Sequence, residues 1–327
     1  MLVLARSDVE RLIDPDLLRE AIAGAMADLS AGRVSMPPRI AALVPERDGL
    51  LAAMPAYLPS AGALTTKLVS LFPRNRDRPT HQAVIVVFDA EHGTPVALMD
   101  GEAITAARTA AASALATDLL ARQDAEVLAI VGTGVQAAAH LRAVPRVRSF
   151  REVRVAGRDR AKAQRLVDEA RGWPDSIGAR AVATYEEAIR GADVISAATH
   201  SPEPVVRREW LASGAHVTSV GYNTAGREVD GATFRDALLV VESRAAALAP
   251  PPAGSNDIAL AIKEGAIGPD HVHAELGEIV NGSRPGRTDA RQLTVYKSVG
   301  VAVQDAAAAA LVLEAARRLG AGRDVAI

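Results

Sequence analysis

Residues 127–144 read VLAIVGTGVQAAAHLRAV, and this stretch decides the fold. The apolar run 127–131 predicts a buried strand. The segment Gly132-Thr133-Gly134-Val135-Gln136-Ala137 then turns the chain into a helix. Gly132 allows the tight turn, Gly134 lets backbone approach a pyrophosphate, and Ala137 permits close packing of helix on strand. The helix N-terminus offers unbonded amides and a partial positive charge to the same anion. Glycine turns follow many strands, so the neighbouring segments must decide between a cofactor cradle and a plain turn.

They favour the cradle. From residue 126 onward, candidate strands at 126–131, 152–156, 179–183, 193–198, 216–221 and 237–241 alternate with helical segments. Repeated strand–helix units predict a parallel sheet covered on both faces. The fold class is therefore α/β, a Rossmann-type doubly wound sheet over 121–302. The second strand ends VRVAGRDR (153–160), where enzymes that use NAD commonly carry an acid for the ribose 2′-hydroxyl. Here Gly157 and Arg158 stand at the tip, giving room and a charge partner for a 2′-phosphate, so NADP(H) is preferred and NAD(H) remains possible. Asp159 comes slightly late but could still reach the ribose.

Residues 1–120 have another character. A capping box is expected at Ser7-Asp8-Val9-Glu10, and a second helix opens at Asp14-Pro15 and stops near Gly32. Short apolar runs at 40–44, 64–71, 83–89 and 95–99 predict a mostly antiparallel sheet, with a hairpin turning near 91–94. A long closing helix at 303–319 is expected to return to this part, making 1–120 with 303–327 a discontinuous α+β domain.

The 327 residues include 37 Lys and Arg against 39 Asp and Glu, a net charge of −2 that gives no case for nucleic acid or an anionic membrane as partner. Cysteine is absent, which excludes disulfides and thiolate metal sites and suits a reducing, cytoplasmic setting. The start, MLVLARSDVERL, meets Arg6, Asp8 and Glu10 before any signal-peptide core develops. No apolar run reaches the roughly 18–20 residues of a membrane span. The seven histidines are scattered; His271 and His273 with Glu275 suit loop histidines better than zinc, and no metal is expected.

Seven motifs, taken in order, carry a resemblance. They are MPPR (36–39), MPAYL (54–58), TTKLVS (65–70), ARTAAASALA (107–116), VGTGVQA (131–137), SVGYNTAGREVD (219–230) and YKSVGVAVQD (296–305). Together they resemble the ornithine cyclodeaminase/μ-crystallin family, which includes alanine dehydrogenases and ketimine and pyrroline-2-carboxylate reductases. The resemblance implies a homodimer whose first domain provides the subunit contact and the substrate groups. It also implies that Arg39, Lys67 and Arg108 surround the carboxylate of an amino-acid-like substrate. Arginine forks suit that task, since each supplies two parallel charge-assisted bonds. Taken alone, Arg39 beside two prolines reads as a solvated loop residue, and Lys67 as a snorkelling strand residue. Arg108 differs: a lone arginine among alanines implies a specific partner.

Thr199, Val220 and Gly221 fall at carboxyl ends of predicted strands, where ligands of doubly wound sheets bind. Ser298-Val299-Gly300 resembles the family segment that approaches the nicotinamide; a turn before the last helix explains it equally well.

The chain departs from the cyclodeaminases in the loop 221–230. Their pattern carries an aspartate where this chain has Asn223, and an amide cannot act as a general base. The acid they place before the MP motif is also missing, since Ala52 and Ala53 stand there. The expected chemistry is therefore hydride transfer from NAD(P)H to a cyclic ketimine or an α-imino or α-keto acid, giving an L-amino acid. Lys67 would move the proton, and Asn223 would orient substrate or nicotinamide. The alternatives are an ornithine cyclodeaminase forming proline and ammonia, or a non-catalytic protein that binds NADPH and a small ligand.

Overall fold

A computed structural model of the chain describes residues 1–173 and 178–326. The chain divides into two compact units, one of Met1–Arg108 with the chain from Gly300 onward, the other Thr109–Val299. Boundaries expected from the sequence lay at 120/121 and 302/303. The helix Gly101–Leu120 crosses the first division because its two halves have different partners. Arg108 bonds to Gln304 and Asp305 of the first unit, whereas Ser113 bonds to His140 and Thr218 of the second.

In the first unit, β1 (Leu2–Leu4) leads into helices Arg6–Leu12 and Pro15–Ser30. Asp14 caps the longer helix, its carboxylate accepting from the amides of Asp16 and Leu17 at 2.9 and 3.0 Å, with Pro15 at the first helical position. The capping box expected at 7–10 lies elsewhere. Ala5 is the extended N-cap and Asp8 accepts from its amide at 3.1 Å, so Ser7 is already helical.

The strands β2 (Ile40–Val44), β3 (Gly49–Leu58), β4 (Ala63–Leu71), β5 (His81–Phe88) and β6 (Pro95–Asp100) form an antiparallel run. β1 joins β6 in parallel, and Arg323–Asp324 closes the far edge against β1. β3 was not anticipated, because its inward positions are small or broken in pattern by Pro55. It nevertheless pairs with β4 along nine positions, from Leu50↔Leu71 to Leu58↔Ala63. Alternate residues face inward: Ala52, Met54, Ala56 and Leu58 on β3, and Ala63, Thr65, Lys67 and Val69 on β4 are all buried. The closing helix Ala302–Leu319 covers this face beside Pro15–Ser30. Its buried alanines 306–309 let its backbone come close to the sheet.

The second unit is an eight-stranded, wholly parallel sheet. Its strands are β7 (Val127–Val131), β8 (Glu152–Ala156), β9 (Ala179–Ala181), β10 (Val194–Ala197), β11 (His216–Ser219), β12 (Ala237–Val241), β13 (Val272–Glu275) and β14 (Leu293–Lys297). The order is β13-β12-β14-β11-β10-β7-β8-β9. The chain order reverses between β7 and β10, which is the topological switch point of a doubly wound sheet. Two of the eight strands, β13 and β14, lie beyond the six that the strand–helix alternation in the sequence predicts. β14 (LTVYK) escaped it because its polar residues are satisfied inside the protein, Thr294 by the Leu120 carbonyl and Lys297 by an ion pair. Among the described residues no helix is long and apolar enough to cross a membrane.

Candidate functional site

The first candidate group is the turn after β7. All five residues of β7 are buried, and Gly132 follows at φ 127°, a conformation that L side chains rarely adopt. A Cβ there would come within 2.4 Å of the Ala198 carbonyl oxygen, so the turn and the end of β10 pack backbone to backbone. Gly134 is the N-cap of helix Val135–Ala143, no side chain caps that helix, and nothing lies within 4 Å of where a Cβ of Gly134 would stand. Uncapped amides at a helix start beneath open space are what a pyrophosphate requires; Gly134, Val135 and Gln136 stand at that start, with Thr133 just before it. Gly157 is needed for a neighbouring reason: a Cβ there would meet Thr133 Cγ2 at 2.5 Å. Arg158 is exposed at the tip of β8. Asp159 instead caps helix Arg160–Ala170, accepting from the amides of Ala161 and Lys162.

At the other strand ends, Thr199 follows β10, and Val220 and Gly221 follow β11. Asn223 lies in the loop beyond, and both ends of its amide are engaged. Its Nδ2 donates to the His200 carbonyl at 2.7 Å and its Oδ1 accepts from the Ala225 amide at 2.8 Å. The group expected to orient substrate or nicotinamide thus holds its own loop against the loop after β10. Ser298 follows β14; its hydroxyl donates to Glu242 Oε1, and the Val299 amide donates to Oε2 at 3.1 Å. The segment is therefore both a strand end and, at Gly300 with φ 71°, a turn.

The second candidate group lies in the first unit. Lys67 points inward from β4 and is 3% exposed, so the solvated alternative does not apply. Its Nζ lies 2.6 Å from Asp305 Oδ2 in the first turn of the closing helix. Arg108 Nε donates to the other oxygen of Asp305 at 3.0 Å, and its Nη1 donates to Gln304 Oε1 at 2.9 Å. One carboxylate thus bridges two cations and fixes the guanidinium plane. Arg39 is half-buried, with Nη2 donating to the Gly300 carbonyl at 2.7 Å. Gly300 in turn packs on Arg108: a Cβ there would stand 2.8 Å from Arg108 Nη2.

Burial pushes the Lys67 amine down to about 8; Asp305 opposes that fall and Arg108 adds to it. Burial also works against the Asp305 carboxylate, yet Lys67 and Arg108 hold it below the usual carboxylate range. Two arginines, a lysine near neutrality and one carboxylate can bind an anionic substrate and exchange a proton with it.

The sequence profile of the ornithine cyclodeaminase/mu-crystallin family matches residues 1–319. The chain belongs to that family. Mouse (Mus musculus) ketimine reductase mu-crystallin is 39% identical over 311 residues, 93% of this chain and 94% of that protein. The structure of Thermococcus litoralis Delta(1)-pyrroline-2-carboxylate reductase in complex with NADH and L-proline superposes with a TM-score of 0.94 at 39% identity, covering 99% of this chain and 100% of that one. An archaeal alanine dehydrogenase dimer with bound NAD gives a TM-score of 0.91 at 33% identity, over 100% of this chain and 99% of that one.

Within this family member, Arg39, Lys67 and Arg108 come together as a group, while Thr199, Gly221 and Asn223 cluster at the strand ends of the second unit. Sequence reasoning passed over Asp305, Gln304, Glu242, Glu228 and Lys297. Asp305 could have been found by the logic applied to Arg108, as a lone charge in an alanine-rich helix. Glu228 and Lys297 carry no comparable signal, since acids and lysines in loops and at strand ends are ordinarily solvated.

Proposed function

We propose that this protein is an NAD(P)-dependent oxidoreductase that reduces a cyclic ketimine or an α-imino acid, the latter formed from an α-keto acid and ammonia or an amine with loss of water, to an L-amino acid. The observation that carries this reading is the buried Lys67–Asp305–Arg108 arrangement. It pairs carboxylate-binding charge with an amine that titrates near neutral pH. The amide turn after β7 fits a dinucleotide pyrophosphate, because Gly134 leaves open the side from which an anion would approach. When bound there, a reduced nicotinamide supplies the hydride.

Arg108 and Arg39 hold the substrate carboxylate, and Asp305 with Gln304 keeps the Arg108 fork from rotating. Lys67 donates its proton to the imine nitrogen, directly or through a water, while the imine carbon gains the hydride. For a cyclic ketimine the C=N bond becomes C–N with nothing leaving. Asp305 keeps the Lys67 amine from falling further, so that it is still protonated near pH 7.

NADP(H) is the preferred cofactor. Exposed Arg158 offers a guanidinium to a 2′-phosphate, and Asp159, one oxygen of which caps the next helix, is partly committed away from a 2′-hydroxyl.

The protein acts as a homodimer through the outer face of the first unit's sheet. Ile40, Ala53, Leu68 and Val84 pair in succession across β2 to β5 on that face, with Ile40 71% and Val84 40% exposed. A continuous apolar row of this kind is rarely left to solvent.

The test follows NADPH absorbance with pyrroline-2-carboxylate, piperideine-2-carboxylate, and pyruvate plus an amine, with ornithine in parallel. Oxidation of NADPH by one of the imines or by the amine mixture is expected. Robust NAD-dependent proline formation from ornithine would overturn the reading in favour of a cyclodeaminase. Tight NADPH binding without any turnover would overturn it in favour of a binding protein.

A further inference from the structure

The carboxylate of Glu228 is fully buried and ties together the backbones of two strand-end loops. Its Oε1 accepts from the Thr199 amide after β10 at 2.5 Å. Its Oε2 accepts from the Ser219 hydroxyl at 2.7 Å and from the Gly221 amide after β11 at 2.9 Å. A Cβ on Gly221 would stand 2.4 Å from the Thr199 carbonyl oxygen and 2.5 Å from Glu228 Oε1, so the three groups are in van der Waals contact.

The charge of Glu228 has a dedicated counterweight. Lys297, at the end of β14 and 1% exposed, spends its three N–H bonds on the Ser219 hydroxyl (3.0 Å), the Gly221 carbonyl (2.8 Å) and Asp257 Oδ2 (3.1 Å). Asp257 Oδ1 then accepts from the backbone amides of Glu228 and Val229 at 2.9 and 3.1 Å. Glu228 and Lys297 thus grip backbone just past the carboxyl ends of β10 and β11, and Asp257 ties the Glu228 backbone to Lys297 at the end of β14. Burying three ionisable groups is costly, and replacing such clusters with apolar residues is often neutral or stabilising. A cluster retained at that cost, aimed only at strand-end loops, has a positional purpose.

We infer that Glu228 is a positioning residue for the nicotinamide half of the cofactor, acting through the Thr199 and Gly221 backbones. In a doubly wound sheet the two mononucleotide halves lie on either side of the switch point. β7, β8 and β9 carry the adenosine half; β10, β11 and β14 carry the other. Glu228 touches only the second set. Its function is to fix the spacing of the loops between which the nicotinamide ribose and ring must sit, so that loss of the clamp degrades hydride geometry while leaving the adenosine half bound. This rests on the dinucleotide site proposed above.

Glu228→Gln tests it with nearly unchanged volume. A glutamine has one acceptor oxygen, and its NH2 would oppose either the Thr199 amide or the Gly221 amide. The probes are whichever of NADH and NADPH the wild type binds more tightly, and the matching adenosine fragment, ADP-ribose or its 2′-phosphate. The variant is expected to bind the fragment within about twofold of wild type. It should lose at least about tenfold in full-cofactor affinity or in kcat, about 1.4 kcal/mol. Ser219→Ala, which removes one donor to Glu228 and one acceptor for Lys297, should show a smaller loss with the same selectivity and serves if the glutamine variant does not fold. Equal loss of fragment and cofactor, or full retention of both affinity and kcat, would overturn the inference. A wild type that binds neither fragment nor cofactor would instead defeat the dinucleotide site itself.

Discussion

Lys67 and Asp305 are 238 positions apart in sequence and 2.6 Å apart in space, an ammonium on a strand against a carboxylate on the closing helix. Neither is more than 3% exposed. Burial lowers the pH at which Lys67 gives up its proton, and the pairing with Asp305 limits that fall. Imine reduction needs the protonated amine, so kcat is expected to fall as pH rises through about 8. Oxidation of the amino acid needs the free amine and should rise over the same range. Asp305→Asn removes the group that raises the Lys67 pKa, so the limb should move to lower pH. Lys67→Met should cost roughly 10²–10⁴-fold in kcat with NADPH binding intact. A pH–rate profile that is flat between pH 6 and 9 would contradict the role.

Arg108→Ala should leave dinucleotide binding unchanged and weaken substrate binding or turnover by roughly 1.5–3 kcal/mol, the worth of a charge-assisted hydrogen bond. Calorimetry with NADPH and steady-state kinetics separate the two. Loss of NADPH affinity in this variant would show that the carboxylate site is misplaced.

NADPH should bind at least about tenfold more tightly than NADH, near 1.4 kcal/mol. Arg158→Ala should narrow that gap by weakening NADPH alone. Equal affinities in the wild type would remove the case for a 2′-phosphate partner at this exposed arginine.

Asn223→Asp is expected to damage the loop without creating a deaminase. The Nδ2 that donates to the His200 carbonyl would become a carboxylate oxygen facing another oxygen. The expected cost is about 1–3 kcal/mol of stability, read by denaturant titration, with no ammonia released from ornithine. Ammonia release without destabilisation would show that the side chain is available to substrate after all.

Two buried histidines make the fold acid-sensitive. Burial lowers His140 to about 4 and His216 to about 3. Both are therefore neutral in the folded state, while the unfolded chain takes up protons below about pH 6.5. Stability is full above that pH and falls as the pH drops, by about 2 kcal/mol per histidine at pH 5. Glu228, pushed up chiefly by burial, opposes part of this loss because its folded form holds a proton more readily. Denaturant titrations at pH 7 and 5 should show the decline, and His140→Gln should reduce it. An unchanged midpoint would contradict buried neutral imidazoles.

The sequence by itself determined the parts whose causes are local. The turn at 132–137 was legible because its glycines answer to backbone conformation and close approach, which neighbouring residues impose. The cap at Asp14, the hairpin before β6 and the six regular strands of the parallel sheet were legible for similar reasons of spacing. β3 and β14 were not, since small residues, a proline and satisfied polar groups erase the periodic signal. Tertiary structure alone decided which charges are paired. Lys67 reads in sequence as a solvated strand lysine until the closing helix brings Asp305 to it. Asn223 also ties two loop backbones together through its amide, a role that no spacing in the sequence records. Glu228 and Lys297 read as surface charges until three strand ends bury them together. Hydrogen-bond partners of a buried charge come from distant segments, and no local spacing records them.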